Sequence, residues 1–236
     1  MRKGSRCTAF ILLLSLMLVT ARHWSLDGGR AVLAEASYPT VILDAGHGGE
    51  DGGAVGVTGV LEKDLNLNLT FALADLLRDA GVSVVLTRES DRMLYEQGQD
   101  VPGKRKYYDL RNRLAYAERD PSALFVSIHM NSYPNGAYYG FQAWCASDPE
   151  SLSLAETVSA SVRERLQPDN RRRVKTADGN LFLLSRAPGR AVLLECGFLS
   201  NQNECERLCD EDYRRELSFA IFCGIMNYLN ANPGEK

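Results

Sequence analysis

The chain has no surplus of positive charge. Lysine and arginine number 27 against 30 aspartates and glutamates, a net charge of −3. That argues against general nucleic-acid binding, which shows a basic excess. The six cysteines make no framework either. Cys7 falls in the amino-terminal segment, which leaves Cys145, Cys196, Cys205, Cys209 and Cys223, an odd number. They read as small buried apolar residues with one or two surface thiols. No apolar run reaches the roughly 20 residues that a bilayer-spanning helix needs. There is no internal repeat and no low-complexity tract. Histidine is scarce, with only His23, His47 and His129.

What is present first is a targeting segment. Arg2, Lys3 and Arg6 precede an apolar run from Cys7 to Ala21. Val19, Thr20 and Ala21 form an acceptable small-residue cleavage site, so the segment reads as a signal peptide. The alternative is an uncleaved membrane anchor extended by Trp24 and Leu26. Either way the remainder is exported, and residues 1–36 are set aside. Residues 37–232 are expected to form one domain, because an apolar content of 45% suffices for a full core.

Element signals alternate along that domain. Residues 40–43 read as a short buried strand, followed by the glycine-rich turn DAGHGG at 44–49. Leu65, Leu67, Leu69, Ala72, Leu73, Leu76 and Leu77 recur at mostly helical spacing, and Gly81 closes that helix. Residues 83–87 form a second strand, and 88–106 a long polar loop. Asp109 is expected to cap a helix ending at Arg119 before Asp120-Pro121. Further strands are expected at 123–129, 140–145, 181–184 and 191–195, with helices at 151–166 and 212–229. Strand, helix, strand order implies right-handed crossovers. The fold class is α/β, one domain with a mainly parallel twisted sheet and helices on both faces.

Both histidines of the domain, His47 and His129, stand at the carboxyl ends of expected strands, where open α/β sheets place their ligands. We read His47 as the first ligand of a catalytic zinc. Hydrolytic zinc takes three protein ligands and keeps a fourth position open. Glu62 is the best third ligand, at the end of the glycine-rich loop and the entry to a helix. Glu50 and Asp51 are alternatives, read more simply as a solvated turn. Glu195 ends the apolar stretch 191–194, with no evident basic partner. A carboxylate there is costly unless it is paired or functional.

Four motifs resemble those of the zinc-dependent N-acetylmuramoyl-L-alanine amidases. They are DAGHGG at 44–49, LEKDLNL at 61–67, SIHMN at 127–131 and LLECGFLSN at 193–201. Arg173-Val-Lys175 matches a weaker family position. Cys196 departs from the apolar or small residue of many relatives, and its side chain is expected to point away from that of Glu195. TRESD at 87–91 and DLRNR at 109–113 look most like the germination-associated amidases of spore-forming bacteria.

The resemblance implies metal ligands at His47, Glu62 and His129, a Zn2+ cofactor, and a catalytic carboxylate at Glu195. It implies cleavage between N-acetylmuramic acid and L-alanine in peptidoglycan of the cell wall or spore cortex, there aiding muramic-δ-lactam formation. Asp44 and Asn131 are expected to orient the ligands. Arg88, Arg113, Asn131 and Arg173 are candidate substrate contacts. An activating partner protein fits this class, whereas nucleic acid does not. The rivals are a zinc carboxypeptidase, whose His and Glu stand three apart as His47 and Glu50 do, and a non-catalytic wall-binding protein.

Overall fold

The computed structural model describes residues 38–232. The expected leader lies outside the described residues. Among those described, no helix is long and apolar enough to cross a membrane.

Six strands form one sheet: β1 (Val41–Ala45), β2 (Val84–Leu86), β3 (Leu124–Asn131), β4 (Gln142–Cys145), β5 (Lys175–Thr176) and β6 (Ala191–Phe198). Their spatial order is β2-β1-β3-β6-β4-β5. The first four in that order pair in parallel, while β4 runs antiparallel to β6 and carries β5 beside it in parallel. The sheet is therefore mixed but mostly parallel.

Alternation along the strands divides the core in two. Leu43, Val126, Ile128, Val192 and Leu194 face one layer, and Ile42, Phe125, Ala191 and Leu193 the other. The first layer is covered by α1 (Glu62–Asp79), α3 (Pro149–Arg165), α4 (Gln202–Cys209) and α5 (Glu211–Ala231). In α1, Leu65, Leu69, Leu73 and Leu77 are the buried stripe. Gly81, at φ 81°, and Val82 donate to the carbonyls of Arg78 and Leu77, which ends the helix as expected. In α5, Leu217, Ile221, Ile225 and Leu229 are all fully buried. Fully burying one such side chain contributes about 1.5–3 kcal/mol.

The second layer is covered by α2 (Arg105–Arg119), through Leu114 and Ala117. Here two expectations need correction. Helix α2 starts four residues before Asp109, which is buried inside it and accepts hydrogen bonds from the Leu94 amide and Arg113. Residues 181–184 are no strand: Ser185 N–H donates to the Leu181 carbonyl, a helical-type turn, and Leu183 and Leu184 press onto the second layer. Their apolar character covers a sheet face rather than extending the sheet. The outermost strand is instead the polar pair Lys175–Thr176.

Candidate metal centre

At the carboxyl end of β1 the chain reverses through Gly46 to Gly49. His47 takes φ 61°, the sole positive φ on a non-glycine among the described residues. This left-handed backbone is costly for a residue with a Cβ. Two buried guanidinium groups hold it. Arg113 donates to the carbonyls of His47 (2.6 Å) and Ala45 (2.7 Å). Arg88 donates to the carbonyls of Ala45 (2.9 Å), Gly46 (3.0 Å) and Lys63 (2.8 Å). Under them Asp44 is fully buried, accepting from Arg113, Thr87 and Ser127. Asp91 accepts from the Gly49 amide and pairs with Lys63. The TRESD segment thus braces the histidine turn.

Glu62 opens α1 and is 4% exposed. Its Oε2 accepts from the Ala54 amide, and its Oε1 from the Met130 amide and Asn66. That Oε1 lies 3.2 Å from His47 Nε2 and 3.0 Å from His129 Nδ1. His129 comes from the end of β3. The three residues offer ligand atoms within 4.8 Å of one another. Two imidazoles and a carboxylate gathered this closely are a donor set that suits a divalent ion such as zinc.

Space for the cluster is made by glycine. A Cβ on Gly46 would stand 2.3 Å from the His129 ring, and one on Gly53 2.5 Å from Glu62 Oε2. The loop that contains Gly53 is tied down at both ends of the site. Glu62 N–H donates to the Ala54 carbonyl, and Val57 N–H to that of Leu199, just beyond β6.

Glu195 pairs in register with His129 on the neighbouring strand. Its Oε2 is shut off from solvent and has no hydrogen-bond partner. Burial raises its pKa to about 7. Beyond it the register slips: His129 faces Glu195, yet Asn131 faces Phe198, so β6 carries one extra residue. Such bulges re-aim side chains beside active sites. Cys196 points into the first layer, away from the site, as expected.

Asp51 completes the arrangement. It lies 2.9 Å from His47 Nδ1 and also pairs with Lys106. It thereby fixes the ring and leaves Nε2 to the cluster. Burial alone would lower the pKa of His47, but its bonds to Asp51 and Glu62 raise it to about 9. Burial would raise the pKa of Glu62, but its bonds to His129 and His47 hold it well below the usual carboxylate range. The site attracts positive charge, for which a proton and a metal ion compete.

Several sequence assignments move. Arg88 and Arg113 are 1% and 2% exposed and spend their donors on the scaffold, so neither presents a face to substrate. Asp44 acts on the turn through Arg113 rather than on the ligands directly. Glu50 is exposed and pairs with Arg105, outside the cluster. Asp51, read from the sequence as a solvated turn, is the partner of His47; its position four residues on was the available signal. Asn131 lies at the end of β3, half-buried. Arg173 is exposed, and its carbonyl accepts from Gln142, the register partner of Glu195.

The sequence model of a family described as N-acetylmuramoyl-L-alanine amidase matches residues 41–227. The chain is 32% identical over 232 residues to the germination-specific N-acetylmuramoyl-L-alanine amidase of Bacillus subtilis, covering 97% of each. Among solved structures it resembles the CwlD amidase of Clostridioides difficile in complex with the GerS lipoprotein. That likeness has a TM-score of 0.78 and 37% identity, over 82% of this chain and all of the other (100%). It also resembles the amidase AmiC2 of Nostoc punctiforme, with a TM-score of 0.69 and 31% identity, over 81% and 97% of the two chains.

Proposed function

Because this chain belongs to the N-acetylmuramoyl-L-alanine amidase family and is a hydrolase of peptidoglycan, we propose that it cuts the bond between N-acetylmuramic acid and L-alanine in spore cortex with Zn2+ at His47, Glu62 and His129. The convergence of those three side chains beside an unpartnered Glu195 carboxylate carries this reading. Similarity to a germination-specific enzyme supports the cortex as its place of action, there serving muramic-δ-lactam formation. Residues 37–232 are the catalytic domain, and residues 1–36 direct export as a cleaved leader or an anchor. The complex of the similar clostridial amidase with a lipoprotein supports an accessory partner here too.

Zinc, when bound, supplies Lewis acidity toward the lactyl amide carbonyl and makes water more acidic. The chain's own residues do the rest. Asp51 holds His47 by Nδ1, and Glu62 is held by the amides of Ala54 and Met130, so the ligands are set before substrate arrives. Glu195 takes a proton from the attacking water as its oxygen bonds the carbonyl carbon. It returns that proton to the nitrogen of L-alanine as the C–N bond breaks. The products are a muramic carboxylate and a stem peptide with a free amino end. Asn131 and Arg173, at the rim, contact the stem. Replacing Glu195 by Gln should retain metal and lower cleavage by roughly 10²–10⁴-fold. A variant that still frees L-alanine amino ends at the wild-type rate removes Glu195 from the chemistry.

A further inference from the structure

Residues 132–140 follow directly from the strand that carries His129, and they expose three tyrosines. Tyr133, Tyr138 and Tyr139 are 52%, 45% and 56% exposed. Tyr133 meets Tyr138 edge-on with ring centroids 4.8 Å apart, and Tyr138 stacks on Phe198 at 6.3 Å. The Arg172 guanidinium lies 4.4 Å over Phe198 and 5.7 Å over Tyr138, a cation–π arrangement. Exposed aromatic clusters on a soluble domain mark interaction sites.

This segment is held in place. Tyr133 N–H donates to Ser200 Oγ, Asn201 to the Gly136 carbonyl, and Gly140 N–H to the buried Glu204. Gly136 lies so close to the chain that a Cβ there would stand 2.7 Å from the Ser200 carbonyl oxygen. Arg172 donates to the Tyr139 carbonyl and to Gln142. Gln142 is the register partner of Glu195, so the ring platform is continuous with the catalytic rim. Beside it runs a cleft of about 240 Å3 whose lining includes Ala137, Tyr138, Tyr139, Asp169, Arg171 and Arg172.

We infer that this platform is a sugar subsite, which seats the amino-sugar strand next to the muramic residue being cut. The inference rests on the amidase reading and names where its polymer lies. A pyranose ring has apolar C–H faces and a hydroxyl rim. Tyrosine matches both, with a flat apolar face and a polar tip that is cheap to order. The large exposed side chains of residues 132–140 are all tyrosines. Two guanidinium groups, Arg171 and Arg172, outnumber the one carboxylate, Asp169, and suit acetamido and lactyl oxygens. Fixing the rings beforehand lowers the ordering cost of binding.

The test uses the full chain carrying Glu195→Gln and two probes, a stem-free amino-sugar tetrasaccharide and the corresponding disaccharide, followed by calorimetry. With Tyr133→Ala and Tyr138→Ala added, tetrasaccharide affinity should fall about tenfold, equal to about 1.4 kcal/mol. The paired Tyr→Phe changes keep the faces and should retain most of it. In otherwise wild-type protein, the alanine pair should lower kcat/KM on long strands relative to a single muramoyl peptide by a similar factor. Thermal melting checks that the exposed sites leave the fold intact. Equal tetrasaccharide affinity in the parent and the alanine pair, equal losses on long and short substrates, or a loss confined to binding of a lipoprotein partner would each overturn the sugar subsite. If the wild-type chain frees no L-alanine amino end from any wall substrate, the amidase reading fails, while the calorimetry still reports on the platform.

Discussion

Arg113→Met tests whether a buried guanidinium holds up the histidine turn. Arg113 is 2% exposed and pairs with Asp44 (2.7 Å) and Asp109 (3.0 Å), which are 0% and 1% exposed. Methionine keeps much of the volume but strands two carboxylates away from water. Breaking a buried pair by removing one partner costs about 3–5 kcal/mol. For a domain of this size that is a fall in Tm on the order of 10 °C. The effect has a pH signature. Burial would raise the pKa of Asp44, but Arg113, Ser127 and Thr87 outweigh it and hold the carboxyl below its usual value. In the wild type this group therefore stabilises the fold above the ordinary carboxylate pKa of about 3.9, and that contribution is lost as pH falls through the lowered one. Without Arg113 the buried carboxyl shifts the other way, and stability is lost as pH rises. The gap between the two proteins should thus be widest near pH 7 and narrow toward pH 4, read from urea midpoints with metal removed by chelator. A gap under about 1 kcal/mol, or one independent of pH, would refute the reasoning, since a guanidinium idle in the core costs little to remove.

Other outcomes follow from the same geometry. Asp51→Asn should weaken metal binding by about 10–100-fold in competition with a chromophoric chelator, because the Nδ1 partner of His47 loses its negative charge; unaltered affinity would return Asp51 to the solvated turn. Gly46→Ala puts a methyl group 2.3 Å from the His129 ring. A ring displaced by about 1 Å should cost about 100-fold in turnover and lower metal content by elemental analysis. Glu195 must be ionised to accept a proton. Burial lifts its pKa to about 7 and a nearby divalent ion lowers it, so kcat/KM should climb with pH to a plateau with an apparent pKa below 7. A rate that falls across that window would assign the proton transfer to another group.

The gathering of side chains was legible where residue type and strand position coincide. His47 and His129 stand at or just past strand ends, and Glu195 is an acid after an apolar run, though β6 continues past it to Phe198. The first strand, α1 with its glycine stop, and α5 follow from periodicity alone. The bracing was not legible. Asp109, four residues before Arg113, is its one local partner, and nothing else near Arg88 or Arg113 marks them as core residues, because the turn carbonyls they hold lie more than 40 positions away. The bulge in β6 is an offset of one residue between partners that no single-strand pattern encodes. Residues 181–184 misled because an apolar run reads alike whether it pairs at a sheet edge or lies across a sheet face.

The segment containing Gly53 grips both halves of the chemistry, Glu62 through Ala54 and the end of β6 through Val57. Prising it open would loosen a metal ligand and the ground under the proton carrier together.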